Sequence, residues 1–214
     1  MSFQICASQY MDYLSTVAKK IASSQEYISA LDSATGDGDH WANLNMGFQK
    51  LMENKETLSR LPISDCLKKI GLLMMSNVGG SSGVLYGGAY IAAAKTITSP
   101  TLNAEGLCSV LSAMVNDMMQ RGNTKPGYKT MIDSLYPAVN AYQSALAKNK
   151  SAKESLEDLK AAAIAGAEQT KYMEAIRGRA SYQLNKGVGH LDPGAVTMSY
   201  QLECLADYII KNNL

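Results

Sequence analysis

Apolar residues recur along most of the chain at intervals of three and four positions, the spacing of one face of an α-helix. This pattern runs through residues 10–28, 66–77, 107–118, 135–146 and 198–209. Alternation of β-branched residues with a period of two is sustained nowhere, and the aromatic residues include only two Phe and one Trp. The chain is therefore predicted to be all-α, with about eight helices.

Composition predicts one soluble globular domain over residues 1–214. With 46% hydrophobic and 18% charged residues, a chain of this length can bury a core that needs neither disulfides nor a structural metal. The 20 basic residues are scattered among 19 acidic ones, and the net charge is +1. This balance argues against nucleic acid as the main partner, because nucleic-acid-binding proteins usually carry a basic stripe.

The same sequence predicts a cytoplasmic location. No apolar stretch approaches the roughly 18 residues of a membrane span, and polar residues interrupt every candidate signal segment in residues 1–20. Cys6, Cys66, Cys108 and Cys204 lie far apart without a C-x-x-C pair, which is typical of neither a zinc site nor a dense disulfide framework. Free thiols in a reducing compartment are expected.

An acidic segment with two glycines separates two helical patterns at residues 31–48. Asp32, Asp37 and Asp39 lie within eight positions, and carboxylates this close repel one another unless a cation lies between them. Such oxygen ligands suit Mg²⁺, which also binds nucleotide phosphates. Two Asp-Gly turns, with Asp39 capping the next helix, are the simpler alternative. A calcium EF-hand is excluded because no Glu stands twelfth from any of these aspartates.

A segment rich in glycine and serine, residues 76–88, is the second candidate. It places Gly79, Gly80, Ser81 and Ser82 at the start of a helical pattern, where free N–H groups and hydroxyl groups can hold a phosphate. The segment lacks the Gly-Lys-Ser/Thr of a P-loop, and no strand precedes it as in a Rossmann fold. Helix capping and close helix contact through small residues are the alternative.

Residues 121–138 form a third connection between helical patterns. Gly122 follows a helical pattern as a helix stop does, and the next pattern begins near Thr130. Taken singly, each basic residue of this connection is typical of a solvated loop charge. These residues are Arg121, Lys125 and Lys129.

The fourth connection, residues 176–195, is about twenty residues long, and loops of that length in compact domains are usually functional or disordered. Arg177, Arg179 and Lys186 supply positive charge suited to phosphate, and residues 192–194 begin the last helix. A surface lid without a ligand is the alternative. We interpret the four connections together as one site for a metal and a nucleotide.

These connections resemble the signature segments of a known family. In chain order they read GDGDHWANLNMGF, VGGSSGVLYG, KPGYKTMIDSLYPA and GRASYQLNKGVGHLDPGA. They are similar to segments of the nucleotide-binding L subunit of dihydroxyacetone kinases, in the same order and over nearly the whole chain. The resemblance implies a barrel of eight antiparallel up-and-down helices, which binds ADP and two Mg²⁺ at one end.

The resemblance also implies roles for individual residues. Asp32, Asp37 and Asp39 correspond to the metal ligands, and Arg179 corresponds to a lid arginine that stabilises charge during catalysis. The residues that correspond to nucleotide contacts are His40, Trp41, Ala42, Asn43, Ser81, Ser82, Gly122, Met131, Arg179, Asp192, Pro193 and Gly194.

In this family the stand-alone subunit relays a phosphoryl group. ADP stays tightly bound and cycles with ATP, and a phosphotransferase-system M subunit supplies the phosphoryl group from phosphoenolpyruvate. The group then passes to dihydroxyacetone held on a separate K subunit. The resemblance therefore implies a phosphotransferase with both subunits as partners. A nucleotide-holding regulatory module, a free ATP-dependent kinase domain and a paralogue acting on a related ketose remain as alternatives.

Three residues depart from the family pattern. Trp41 stands where Gly is usual, which predicts a bulky ring near the nucleotide or at the partner surface. Tyr128 replaces an acidic residue of a P-G-D-K-T pattern, and Leu191 stands where a polar or small residue is frequent. These departures leave the acceptor ketose open. We interpret His190 as a residue that orders the lid and not as a phosphoryl acceptor.

Overall fold

Helices make up the regular structure of the computed structural model, which describes residues 3–212. An isolated bridge pairs Ile5 with Leu102, and residues 3–212 contain no strand. The prediction of an all-α fold is confirmed. The α-helices are α1 (Ala7–Ser23), α2 (Gln25–Thr35), α3 (His40–Glu53), α4 (Lys55–Ser59), α5 (Ile63–Asn77), α6 (Gly80–Ala94), α7 (Ala104–Gly122), α8 (Ile132–Ala147), α9 (Ala152–Gln169) and α10 (Pro193–Asn212).

Two helical segments break at a single residue, which raises the number of described α-helices above eight. Ser24 alone separates α1 from α2, and Asn54 alone separates α3 from α4. The Ser24 hydroxyl donates to the carbonyl of Lys20 (2.8 Å), and the Asn54 amide donates to the carbonyl of Lys50 (2.9 Å). Such bonds to a carbonyl four residues earlier compete with the helical ladder. The predicted helical face 10–28 therefore spans two helices.

Eight helices form the closed ring that the resemblance implies. In the order α1, α3, α5, α6, α7, α8, α9 and α10, each packs against the next, and α10 packs back against α1. The short α4 packs against α1 and α5, while α2 packs between α3 and α10. The eight-helix barrel is confirmed, with α2 and α4 as additions to it.

Small residues allow close helix contact where α8 meets α9. A Cβ atom on Gly166 would lie only 2.1 Å from the carbonyl oxygen of Asp133. That carbonyl receives no helical hydrogen bond from Pro137, which lies inside α8 and has no N–H group. The glycine therefore lets α9 pack directly against this turn of α8.

Four connections meet at one end of the barrel. They join α2 to α3, α5 to α6, α7 to α8 and α9 to α10, and residues from all four line a cavity of about 700 Å³. Alternate connections of the ring can meet in this way only if consecutive barrel helices run in opposite directions. The up-and-down arrangement is thereby confirmed. Within the described chain, no helix is both long and apolar enough to cross a membrane.

Candidate metal and nucleotide site

Three carboxylates converge at the C-terminal end of α2. Asp32 lies in the last turn of α2, and Asp37 and Asp39 lie in the connection to α3. One carboxylate oxygen of each residue lies within 4.8 Å of those of the other two. Asp32 is buried, whereas Asp37 and Asp39 are exposed. A Cβ atom on Gly36 would lie 2.5 Å from Asp32 Oδ1, so a side chain at this position would displace the Asp32 carboxylate.

The chemistry of this donor set fits Mg²⁺. All three groups are hard oxygen donors, which Mg²⁺ prefers at distances of about 2.1 Å, so that ligands on opposite sides lie about 4.2 Å apart. The observed separation of at most 4.8 Å is close to this span. The Asp37 and Asp39 side chains are exposed, whereas the Asp32 carboxylate is buried and held in place.

Asp32 is held by the start of α3. Its Oδ2 atom accepts a hydrogen bond from the backbone N–H of His40 (2.9 Å). The ring of His40 lies against α10, with Nε2 2.9 Å from the hydroxyl of Thr197. Burial lowers the pKa of His40 below its ordinary value, although Asp32 and Asp39 oppose the shift. The imidazole is therefore neutral at pH 7.

The predicted lid arginine reaches the acidic segment. Arg179 belongs to a short 3₁₀ turn, Arg179–Tyr182, in the connection between α9 and α10. Its Nη2 atom lies 2.6 Å from Asp37 Oδ2, and both side chains are partly exposed. The residue predicted to stabilise charge and a residue predicted to bind metal are thus neighbours.

The start of α6 lines the same cavity. α6 begins at Gly80, so the segment rich in glycine and serine does start a helix, and Ser81 and Ser82 both face the cavity. A Cβ atom on Gly79 would lie 2.3 Å from Asn43 Oδ1, which shows how closely α6 approaches the first turn of α3. The free N–H groups of the first turn of α6 provide donors for an anion.

An apolar wall forms another part of the cavity. Gly122 and Met131, both predicted nucleotide contacts, line it. Gly122 is the last residue of α7, and Asn123 is the residue that takes the left-handed conformation ending the helix, with φ of 43°. The apolar side chains of this wall are Val84, Leu85, Met118, Met131 and Ile132.

The start of α10 completes the lining with Asp192, Pro193 and Gly194. Asp192 caps the helix, since its Oδ2 atom accepts a hydrogen bond from the N–H of Ala195 (2.7 Å). Burial raises the pKa of the Asp192 carboxyl to about 7, against the opposing effect of the hydrogen bond from Ala195. The predicted start of the last helix is confirmed.

Comparisons with known proteins show the family of this chain. The sequence profile of the DAK2 domain matches residues 34–207. The chain belongs to the DAK2 domain family. It is 34% identical over 200 residues to the PEP-dependent dihydroxyacetone kinase, ADP-binding subunit DhaL, of Escherichia coli, covering 93% of this chain and 95% of that protein. It is 36% identical over 183 residues to the ADP-binding subunit DhaL of PEP-dependent dihydroxyacetone kinase 1 of Listeria innocua, covering 86% and 87%.

A solved structure shows the same fold. It is the dihydroxyacetone kinase from C. freundii in complex with AMP-PNP and Mg²⁺, with a TM-score of 0.72 and 26% identity. The match covers 92% of this chain and 33% of the C. freundii chain, so this protein corresponds to about a third of that kinase. The resemblance to the L subunits of dihydroxyacetone kinases is thereby confirmed.

Two residues predicted from the family as nucleotide contacts lie outside the cavity lining. The indole N–H of Trp41 donates to the carbonyl of Ile21 (2.9 Å), and the ring packs against the barrel core. Ala42 is exposed and does not line the cavity. The Trp41 ring is half-buried beside the core, and its predicted position near the nucleotide or at the partner surface stays a prediction. Trp41, Leu44 and Phe48 are spaced as one apolar helix face, and this spacing is the sequence signal for packing of the Trp41 ring against the core.

The other two departures from the family pattern lie beside the cavity lining. Tyr128 accepts a hydrogen bond at its backbone carbonyl from the N–H of Ile176 (3.2 Å), and Lys125 Nζ lies 5.4 Å from the centre of the Tyr128 ring. Leu191 is half-buried immediately before the cap of α10. Tyr128 therefore joins the third connection to the fourth.

Lys129 has a role that the sequence did not indicate. The expectation of a solvated charge is wrong, because Lys129 is 2% exposed and lines the cavity. Its ammonium donates to the carbonyls of Thr170 and His190, both at 2.5 Å, and burial lowers its pKa. Lys129 thus fixes both ends of residues 170–190. This segment overlaps the fourth connection and carries Arg179, and from here on we call it the lid. The His190 side chain is exposed, and its carbonyl makes this contact.

Proposed function

We propose that this chain is the ADP-binding subunit of a cytoplasmic, phosphoenolpyruvate-dependent dihydroxyacetone kinase, with residues 1–214 as a single ADP-binding domain. In this proposal it holds ADP, cycling with ATP, together with two Mg²⁺. It relays a phosphoryl group from a phosphotransferase-system M subunit to dihydroxyacetone on a K subunit. The observation that carries the proposal is the convergence of Asp32, Asp37 and Asp39 within 4.8 Å beside the start of α6.

The acidic segment supplies the metal ligands in this proposal. Bound Mg²⁺ would neutralise charge on the phosphates and orient them for in-line transfer. Asp32 is a fixed ligand because the N–H of His40 holds its carboxylate. Asp37 and Asp39, being exposed, can adapt to one or two ions. This combination of one rigid and two adjustable ligands suits a site that binds metal and nucleotide together.

The remaining walls supply phosphate and base contacts. The N–H groups at the start of α6, with the hydroxyls of Ser81 and Ser82, are suited to phosphate oxygens. Arg179 adds a positive charge at the mouth of the cavity, where charge develops on the moving phosphoryl group. The apolar side chains of Leu85, Met118 and Met131 suit an adenine ring.

Exposed apolar side chains on the lid support a protein partner. Tyr182 is 91% exposed and Leu184 fully exposed, close in sequence to Arg179. Apolar groups exposed together favour contact with another protein surface. A K subunit seated against the lid would bring its bound ketose towards the cavity. The exposed apolar side chains of the lid are Tyr172, Ile176, Tyr182, Leu184 and Val188.

Radiolabelled phosphoenolpyruvate tests the proposal. Purified chain is mixed with the phosphotransferase proteins and a K subunit, and label is followed on the bound nucleotide and on dihydroxyacetone. The proposal expects label on the nucleotide first and on dihydroxyacetone afterwards. A nucleotide that never acquires label, while the upstream proteins do, would instead favour a regulatory module. Fast exchange of bound ADP with added ATP would favour a free ATP-dependent kinase. Label that passes to a related ketose supplied in place of dihydroxyacetone, and not to dihydroxyacetone itself, would indicate a paralogue.

A further inference from the structure

A chain of buried polar side chains leads from His40 into the barrel. The His40 ring contacts the hydroxyl of Thr197, with 2.9 Å between Nε2 and Oγ1. The Gln201 amide donates to the carbonyl of Thr197 (3.0 Å) and to the hydroxyl of Tyr86 (2.8 Å). Thr197 and Tyr86 are completely buried, and Gln201 is 4% exposed. These hydrogen-bonded side chains therefore join α3, α10 and α6 inside the barrel.

The Thr197 hydroxyl contacts both the His40 ring and the preceding turn of α10. The hydroxyl donates to the carbonyl of Gly194 (3.2 Å), one turn earlier in α10. His40 is thus tied through Thr197 to Gly194, which lines the cavity.

Burying these polar side chains costs free energy that an apolar core at the same place would not require. Burying polar groups is unfavourable unless each is hydrogen-bonded, and α10 otherwise fills the core with residues such as Met198 and Leu202. A satisfied polar chain instead fixes the relative orientation of the groups that it joins. Here those groups include the first turn of α3, whose backbone N–H holds Asp32.

We propose that Thr197 is a positioning residue for the metal site. By holding the ring of His40, it fixes the start of α3, and with it the Asp32 carboxylate, relative to residues 192–194 of α10. This inference rests on the proposed function, because it assigns Thr197 a role in aligning the metal ligands with the nucleotide segment. Thr197 acts through His40 and touches neither metal nor nucleotide in this scheme.

The variant Thr197→Val tests the inference, since it removes the hydroxyl while keeping the shape of the side chain. The full-length chain, freed of metal by EDTA, is titrated with MnCl₂ in the absence of nucleotide. Fluorescence of Trp41 reports binding, because it is the only tryptophan and follows His40 directly. Loss of such indirect support typically weakens metal binding by about tenfold or more, and we expect about tenfold here. Thr197→Ser is expected to restore the affinity.

Ser199→Ala is the matched control. Ser199 lies on the same helix, is 4% exposed, and its hydroxyl donates to the carbonyl of Val196 within that helix. Circular dichroism and thermal unfolding establish that each variant is folded. Should Thr197→Val not fold, Tyr86→Phe takes its place. This variant removes the hydroxyl that accepts from Gln201, and it is expected to weaken Mn²⁺ binding by a smaller factor.

The outcomes separate the two proposals. Wild-type Mn²⁺ affinity in folded Thr197→Val, or an equal loss in Ser199→Ala, would overturn the positioning role while leaving the proposed function intact. If the wild-type chain binds neither Mn²⁺ nor Mg²⁺ with ADP by calorimetry, the proposed function fails, and the positioning role fails with it. Weakened binding in Thr197→Val alone, restored by Thr197→Ser, would support the inference.

Discussion

Arg179 in the lid and Asp37 in the acidic segment form an ion pair, with 2.6 Å between Nη2 and Oδ2. The pair joins the connection before α10 to the connection before α3 at the mouth of the cavity. A metal ion at the three carboxylates would compete with the guanidinium for Asp37. In the proposed function, this competition frees Arg179 to contact a phosphate, so that one residue serves both the metal-free and the nucleotide-bound states.

Arg179→Ala is therefore expected to separate binding from transfer. ADP should remain bound, and metal binding to the nucleotide-free chain should not weaken, because a competitor for Asp37 has been removed. Phosphoryl transfer should slow by about 10²- to 10³-fold, the usual effect of losing a group that stabilises developing charge. Rapid-quench assays of label transfer check the rate. Arg60→Ala, which breaks an exposed pair with Glu56, is the control. An unchanged rate in Arg179→Ala would exclude a catalytic role.

The variants Asp37→Asn and Asp39→Asn are expected to lose nucleotide but keep the helical fold. Both side chains are exposed, so their replacement removes metal ligands and leaves the core intact. Mass spectrometry of nucleotide released on denaturation, together with circular dichroism, checks both effects. Asp65→Asn, an exposed change in the first turn of α5, should retain nucleotide. Stoichiometric ADP in both loop variants would refute the metal assignment.

The variant Leu184→Ser tests whether the K subunit contacts the lid. Leu184 is fully exposed and supports nothing in the core, so ADP binding and thermal stability should not change. Transfer to dihydroxyacetone on the K subunit should weaken, seen as a higher K-subunit concentration at half-maximal rate. Ile164→Ser, which changes an exposed apolar residue of α9, is the matched control. Equal rates for both variants would place the partner elsewhere.

Lys129→Met is expected to loosen the lid. The substitution removes the ammonium that donates to the carbonyls of Thr170 and His190, and losing a hydrogen bond from a charged group typically costs about 1.5–3 kcal/mol. Amide hydrogen exchange across residues 170–190 should become faster, while exchange in the core of α5 and α7 should not. Lys125→Met, an exposed change in the same connection, is the control. Unchanged lid protection in Lys129→Met would contradict the structural role of this lysine.

The helices and the acidic segment could be predicted because their signals are local. Apolar spacing marked one buried face of most barrel helices, and two glycines among three aspartates indicated a tight turn that gathers carboxylates. The breaks at Ser24 and Asn54 were missed because a single polar residue inside a helical pattern is usually compatible with its continuation. The side-chain bonds that produce these breaks are visible only in the structure.

Other features depend on contacts between distant segments and could not be read locally. Lys129 carries no local signal of burial, since its partners Thr170 and His190 are brought to it by the folding of the lid. The contact between His40 and Thr197 spans 157 positions and exists only because α10 closes the ring.

Equilibrium dialysis of labelled ADP against the metal-depleted chain, with and without Mg²⁺, tests the central claim most directly. If the three aspartates hold divalent ions that in turn bind the diphosphate, ADP should bind stoichiometrically in Mg²⁺ and be lost in EDTA. Asp39→Asn should behave in Mg²⁺ as the wild-type chain does in EDTA. Equally tight ADP binding in EDTA and in Mg²⁺ would contradict the account.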